Sequence, residues 1–194
     1  MESYIAVFDV GKTNKKVMIF DDSLDLVDSV KENFTEYSEN GVNYERIDEM
    51  TEWFLDSLKA FSSTYAIRAV SVTTHGASAA CVDGEGRLAL PLVAYTTEPG
   101  EEFHREFHER FGSVEELQRT TATPPMGALI NTAKLIYYLK KHYPRDFEKV
   151  DTVLTFPQYF SFLLTGERGA EPTYVGCHSY LWNPHRMEWS SVAR

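Results

Sequence analysis

The chain has 194 residues, of which 19 are lysine or arginine and 29 are aspartate or glutamate, so its formal net charge is −10 at pH 7. Hydrophobic residues make up 43% and charged residues 25%, which is typical of one folded domain or one lobe of a larger protein and excludes a mainly disordered chain. The acidic balance offers no basic stripe for a nucleic-acid backbone, and no apolar run approaches the length of about 20 residues that spans a bilayer. We therefore expect neither a nucleic-acid partner nor a membrane partner.

The cysteine content predicts a reducing compartment. Cys81 and Cys177 are the two cysteines of the chain, too few for a disulfide framework or a zinc ribbon. The acidic Glu2 and the interruption of the first apolar run by Asp9 are not typical of a signal peptide. The sequence therefore predicts a cytoplasmic protein with reduced thiols.

The chain is predicted to open with strands. Apolar runs rich in strand-forming residues at 5–8 and 17–20 flank the polar segment 9–14, a pattern typical of a β-hairpin. Residues 24–34 alternate loosely and predict a third strand, whereas the polar segment 36–45 predicts a loop. We expect an opening hairpin followed by one more strand.

Helices and strands alternate along the rest of the chain. Apolar residues recur at three- and four-residue steps on one face of a predicted helix at 46–62. Strands are predicted at 69–73, 79–82 and 151–154, with an extended segment at 88–95. Further helices carry Phe103, Phe107 and Phe111 up to Gly112, begin at Ser113, and occupy 131–142 and the stretch from Thr155 to Gly166. A hairpin followed by alternating elements predicts an α/β layer architecture with a mixed sheet.

The strongest local signal is the segment 9–16, which reads D-V-G-K-T-N-K-K. Its first carboxylate closes a buried strand, its glycine allows close backbone approach, and its threonine, asparagine and three lysines supply donors and positive charge. A polyphosphate needs such donors and cations, and a carboxylate beside them can hold Mg²⁺. The spacing is not that of a Walker A loop, and by itself it fits a solvated hairpin equally well.

The segment resembles the first phosphate loop of the FGGY carbohydrate kinases, which belong to the actin-like ATPase superfamily. Their pattern places an aspartate, a glycine, a threonine or serine, a polar residue and a basic residue where this chain has Asp9, Gly11, Thr13, Asn14 and Lys16. Lys12 departs from the pattern, since threonine or alanine is more usual there. The resemblance implies that ATP and Mg²⁺ are the cofactors. It assigns catalytic roles to Asp9, which would also hold the metal directly or through water, and to Lys16, and it assigns phosphate contacts to Gly11, Lys12, Thr13 and Asn14.

A second segment, 72–83, resembles the sugar-binding strand pair of the fuculokinase and rhamnulokinase branch of that family. His75 stands where an aromatic residue is usual, and Ser78 stands where that branch has a substrate-binding aspartate. The resemblance implies that His75, Gly76 and Ser78 face the sugar, with Asn131 as a further candidate at the start of a later helix. From the residues alone, the segment fits a strand, a turn and a strand with a surface histidine equally well.

The resemblance continues in order through segments 90–95, 130–135, 156–166 and 171–189, so it spans essentially the whole chain. It implies a ribonuclease H-like actin lobe, with a mixed five-stranded sheet and helices on both faces. Residues 1–194 would form the N-terminal lobe of the kinase. The ATP-binding second lobe, and the aspartate that acts as general base, are expected beyond Arg194.

The implied reaction is transfer of the ATP γ-phosphoryl group to a hydroxyl of a small sugar, with a ketose or deoxyketose favoured. Because lobe closure normally completes such a site, this chain alone is expected to be inactive. A non-catalytic sugar or nucleotide module on the same fold, another actin-like phosphotransferase and an interaction domain stay open as alternatives. An isolated lobe also exposes a cleft face through which a homodimer could form.

Overall fold

A computed structural model describes residues 2–194. They divide into two compact units, the first made of residues 2–37 and 45–75 and the second of residues 38–44 and 76–194. The strands in chain order are β1 (Tyr4–Val10), β2 (Asn14–Phe20), β3 (Leu26–Asn33), β4 (Tyr37–Glu39), β5 (Val42–Tyr44), β6 (Ile67–Thr74), β7 (Ala79–Val82), β8 (Thr152–Thr155), β9 (Trp182–Asn183) and β10 (Glu188–Trp189). The helices are α1 (Ile47–Ser62), α2 (Glu101–Phe111), α3 (Val114–Thr121), α4 (Thr132–His142), α5 (Pro144–Phe147), α6 (Phe156–Thr165) and α7 (Pro172–Val175).

The first unit is a mixed sheet with the strand order β3-β2-β1-β6. The pairs β1–β2 and β2–β3 are antiparallel, and β1–β6 is parallel. Every second residue of β1 and β2 is buried, as expected where one face of a strand meets a core. On that face the ring of Phe8 stacks on the ring of Phe54 from α1 at a centroid distance of 4.0 Å. The predicted hairpin, third strand, helix at 46–62 and strand at 69–73 of this unit are confirmed.

One detail of the predicted sheet is wrong. The sheet has four strands where five were predicted. Among the described residues of this unit, α1 is the single helix. Strand β7 pairs antiparallel with β8 in a separate two-stranded sheet. All four residues of β7 are buried, and on its other edge the backbone oxygen of Cys81 accepts a hydrogen bond from the backbone N–H of Ala89, so both edges of β7 have partners outside the main sheet.

The segment predicted as a loop, 36–45, contains the short strands β4 and β5, which pair with each other. Asn40 and Gly41 connect them with φ angles of 51° and 81°. Two consecutive positive φ angles are what a tight two-residue hairpin turn requires, and Asn-Gly is the dipeptide that adopts them most readily. The polar composition of the segment hid a turn signal that was present in the sequence.

The second unit is mainly helical around aromatic residues. Phe103 and Phe107 of α2 are buried, and Phe107 packs with Leu117, Ala133 and Tyr180. The predicted start of α3 is confirmed, because the hydroxyl oxygen of its N-cap, Ser113, accepts a hydrogen bond from the backbone N–H of Glu116. The predicted helices at 131–142 and after Thr155 are also present, as α4 and α6. None of the helices described in residues 2–194 combines the length and the apolar character needed to cross a membrane.

Candidate functional site

The first unit brings Asp9 and Lys16 side by side on one face of its sheet. Asp9 lies opposite Lys16 of β2 and beside Thr73 of β6, and Lys16 in turn lies opposite Lys31 of β3. Directly opposed residues project from the same face with Cβ atoms about 4.5–5.5 Å apart. The register therefore forms a polar row of two ammonium groups, a carboxylate and a hydroxyl on the face opposite the buried Phe8.

The turn that follows Asp9 is closed tightly. A Cβ atom at Gly11 would lie 2.9 Å from the backbone oxygen of Asn14, so a side chain there would force the turn open. Thr13 and Asn14 are exposed at its tip. The structure thus places the predicted phosphate contacts Gly11, Thr13 and Asn14 in one short turn at the end of the polar row.

The three lysines of this segment have different environments. Lys15 is fully buried, and its Nζ donates hydrogen bonds to the backbone oxygens of Lys12 at 2.9 Å and Phe34 at 3.4 Å. Burial lowers the pKa of Lys15, although the nearby Glu45 carboxylate opposes the shift. Lys12 donates to Glu45 at 2.8 Å and also pairs with Glu36. Lys15 and Lys12 therefore support the turn, while Lys16 lies beside Asp9.

His75 follows β6 and is fixed from two sides. Its backbone N–H donates to the oxygen of Val10 at 2.8 Å. Its Nε2 lies 3.7 Å from Oε1 of Glu45, and the two side chains are 10% and 1% exposed. Sequence analysis missed Glu45, whose position just before a helix is an ordinary place for an acidic residue.

In the second unit, Gly76 and Ser78 precede β7. A Cβ atom at Gly76 would lie 2.6 Å from Nε2 of His178, so the glycine is required by the close approach of the imidazole. The backbone oxygen of Ser78 accepts hydrogen bonds from the hydroxyl of Tyr174 at 3.0 Å and the backbone N–H of Phe156 at 3.1 Å. Burial raises the pKa of Tyr174, which keeps its phenol protonated as a donor.

Two polar atoms next to this backbone are buried without a hydrogen-bond partner among residues 2–194. They are Oγ of Ser78, a residue with no exposed surface, and Nδ1 of His178. A buried polar group without a partner is uncommon in folded proteins, and a functional role is one of the explanations for it. Sequence analysis missed His178, because nothing in its local sequence connects it to the strand of Ser78.

Asn131, also predicted to contact substrate, is used to hold the fold. Its Nδ2 donates to the backbone oxygens of Pro124 at 3.2 Å and His178 at 2.9 Å, and its Oδ1 accepts from the backbone N–H of Met126 at 3.1 Å. Both amide hydrogens are committed in this way, so the side chain positions the segment of His178. The neighbouring Lys134 is buried and donates to the oxygen of Met126 at 2.9 Å, and burial lowers its pKa to about 8.

Comparison with known proteins identifies the family. The family profile described as the N-terminal domain of the FGGY family of carbohydrate kinases matches residues 4–193. The chain belongs to the FGGY family of carbohydrate kinases. The resemblance predicted from the phosphate hairpin and the sugar-strand segment is therefore confirmed, as is the actin-like α/β fold class.

Relatives of this FGGY chain include the L-fuculokinase of Salmonella typhi, which is 28% identical over 97% of this chain and 40% of its own length. The probable L-xylulose kinase of Pasteurella multocida is 25% identical over 97% of this chain and 39% of its own length. Among solved structures, a carbohydrate kinase from Novosphingobium aromaticivorans superposes with a TM-score of 0.88 at 25% identity, covering 97% of this chain and 39% of that one. The chain thus spans about two-fifths of the length of these relatives.

Proposed function

We propose that this chain is the N-terminal, sugar-binding lobe of an ATP-dependent sugar kinase, with a ketose or deoxyketose as substrate. The observation that carries the proposal is the polar row of the first unit, where Asp9 and Lys16 stand side by side at the base of a turn with exposed donors. The names of two relatives refer to L-fuculose and L-xylulose, and both sugars are ketoses. Their names support a ketose but do not choose between sugars.

The polar row fits a magnesium–ATP complex. Mg²⁺ prefers carboxylate and phosphate oxygens and usually keeps several waters, so a single carboxylate at a strand end suits it. No cluster of three or more histidine, cysteine or acidic side chains suited to a metal occurs within residues 2–194. We propose Asp9 as the metal-binding side chain of this lobe. When bound, ATP would supply the phosphoryl group, and Mg²⁺ would neutralise part of the negative charge of the phosphates.

The protein's own contribution on this side is positioning and charge. Lys16 would neutralise phosphate charge beside Asp9, and the backbone and side chains of Gly11, Thr13 and Asn14 would donate hydrogen bonds. Lys12, which the resemblance also assigned to phosphate, is already engaged with two carboxylates. We therefore propose that Lys12 acts on phosphate only through the shape of the turn.

The second unit would contribute hydroxyl recognition. The Ser78 hydroxyl and the His178 imidazole are buried polar groups that can pair with a sugar hydroxyl, which both donates and accepts hydrogen bonds. Gly76 keeps the backbone close to the imidazole. In the first unit, we propose His75 as a separate sugar contact, because the family resemblance assigns it to the substrate.

The general base is expected to be an aspartate beyond Arg194, and the ATP-binding second lobe is also expected there. We propose that the 194-residue chain has negligible kinase activity by itself, since a site that closes around its substrates needs both lobes. A homodimer and a cytoplasmic location remain predictions from the sequence.

Ligand binding tests the proposal directly. Thermal unfolding of the full natural chain would be followed with ketoses, aldoses and polyols, each with and without Mg²⁺–ATP, for the wild type and for Asp9→Asn. A ligand at 100 times its dissociation constant adds about 2.7 kcal/mol to the unfolding free energy. We expect a shift with a ketose that survives Asp9→Asn, and a nucleotide shift that the variant loses. The full natural chain should phosphorylate the same sugar; tight sugar binding without turnover there would favour the non-catalytic module, and no response to any sugar would refute the sugar site.

A further inference from the structure

The buried carboxylate of Glu45 contacts two residues of the first unit on which the proposed function depends, Lys12 and His75. Its Oε1 accepts a hydrogen bond from Lys12 Nζ at 2.8 Å and lies 3.7 Å from His75 Nε2. The side chain is 1% exposed. A carboxylate removed from water to this degree is stable only with a charged or hydrogen-bonding partner, so these contacts are a condition of its burial.

The phosphate turn depends on the same carboxylate. Lys12 is held at its ammonium group by Glu45 and Glu36 and at its backbone oxygen by the buried Lys15. The positive charges of Lys12 and Lys15 are thereby balanced by two carboxylates within the protein. A shift of the Glu45 side chain is therefore expected to change the position of Lys12, which lies in the turn between Gly11 and Asn14.

His75 is connected to the turn by two routes. Its backbone N–H donates to Val10, which immediately precedes Gly11, and its ring faces the carboxylate that holds Lys12. The carboxylate favours a proton on Nε2 and thereby helps to fix the orientation of the ring. The orientation of the imidazole and the conformation of the turn thus share one buried side chain.

We propose that Glu45 is a positioning residue that couples ligand binding at His75 to phosphate binding at the turn. The inference rests on the proposed function, because it takes the turn as the phosphate site and His75 as a sugar contact. Glu45 itself touches neither ligand. By thermodynamic reciprocity, a sugar that fixes the His75 ring tightens nucleotide binding by the same factor by which the nucleotide tightens sugar binding.

The first test measures this coupling in the full natural chain by titration calorimetry. The sugar dissociation constant is measured with and without saturating Mg²⁺ and a non-hydrolysable ATP analogue, in the wild type and in Glu45→Gln. We expect coupling of about tenfold in the wild type, within the usual range for coupled sites, and less than about twofold in the variant. Glu49→Gln is the matched control, because Glu49 is an exposed residue of α1 that pairs with Arg46 and should leave the coupling intact. A Glu45→Gln protein that melts at a lower temperature but keeps the full coupling factor would overturn the proposal. Glu45 would then contribute to stability only, through its ion pair with Lys12.

The second test needs no ligand and separates this inference from the proposed function. In the ¹⁵N-labelled protein, His75→Gln should shift the amide resonances of Thr13 and Asn14, and most of that shift should disappear when Glu45→Gln is already present. The Glu49→Gln background should preserve it. Unmoved turn amides, or shifts that persist without the carboxylate, would overturn the coupling route. A wild type that binds no sugar while showing these shifts would instead refute the proposed function.

Discussion

Replacing Ser78 with alanine separates a binding role of its hydroxyl from a structural one. Oγ of Ser78 is buried and has no hydrogen-bond partner within residues 2–194, while the backbone oxygen of the same residue is held by Tyr174 and Phe156. Ser78→Ala removes the unpaired hydroxyl, leaves those backbone bonds in place and hardly changes the volume. If the hydroxyl has a structural role, its removal lowers the unfolding free energy of the ligand-free protein. If it serves only to bind substrate, its removal does not.

The expected magnitudes have opposite signs. An unsatisfied buried polar group costs about 1–3 kcal/mol, so its removal should raise the unfolding free energy by ~1 kcal/mol. A hydrogen bond to a sugar hydroxyl contributes ~1 kcal/mol, and its loss should weaken sugar binding about fivefold. Ser78→Ala is therefore expected to be more stable than the wild type and to bind sugar less tightly.

Urea unfolding and titration calorimetry measure the two quantities, and Tyr180→Phe is the control. The hydroxyl of Tyr180 is also buried without a partner among the described residues, but it lies in the aromatic cluster of Phe107 and Leu117. Its removal should raise stability and leave sugar affinity unchanged. A Ser78→Ala protein that is destabilised by more than about 1 kcal/mol and keeps its sugar affinity would refute the reasoning.

Three further substitutions test the supports of the site. Lys15→Met removes the buried ammonium group that donates a hydrogen bond to the turn. Because a hydrogen bond from a charged group contributes about 1.5–3 kcal/mol, calorimetry should show Mg²⁺–nucleotide binding about tenfold weaker and an unchanged sugar affinity. Equal loss of both affinities would contradict this prediction. Gly76→Ala places a methyl group 2.6 Å from Nε2 of His178. Thermal melts should therefore show an unfolding free energy lower by about 1–3 kcal/mol, and calorimetry should show weaker sugar binding. An unchanged melting temperature would argue against the close contact. Lys134 has its pKa lowered from 10.5 to about 8, so between these pH values the unfolded chain binds the proton that the folded chain has released, and the unfolding free energy should rise with pH. In Lys134→Met this contribution should be absent from urea titrations at pH 7.5–10, and identical slopes in the two proteins would count against a buried, shifted ammonium.

Much of the fold was predictable because it follows from local rules. Alternating burial of β1 and β2, the three- and four-residue steps of α1 and the capping serine at 113 are properties of segments shorter than 20 residues. The same alternation places Lys15 and Lys16 on opposite faces of β2, so the burial of one of them was also contained in the sequence. The hairpin at Asn40-Gly41 was present as a turn signal and was missed because its surroundings are polar.

The number of sheet strands could not be read from the sequence in the same way. An apolar run such as β7 shows that a strand is buried, but not which strand will satisfy its backbone hydrogen bonds. Its partner, β8, lies about 70 residues later in the chain and was predicted only as a separate strand. Pairing over that separation is decided by the packing of the whole unit.

The sequence by itself determined the opening hairpin, the order of the elements and the family, because each of them can be recognised from short segments and their spacing without the tertiary structure. Only the tertiary structure decided what the polar side chains do. In the folded chain Lys12 forms an ion pair with Glu45, and Asn131 donates a hydrogen bond to the backbone oxygen of His178. The partners are 33 positions apart in the sequence for Lys12 and Glu45, and 47 positions apart for Asn131 and His178. A buried polar side chain needs a hydrogen-bonding partner, and only the folded chain determines which partner it has.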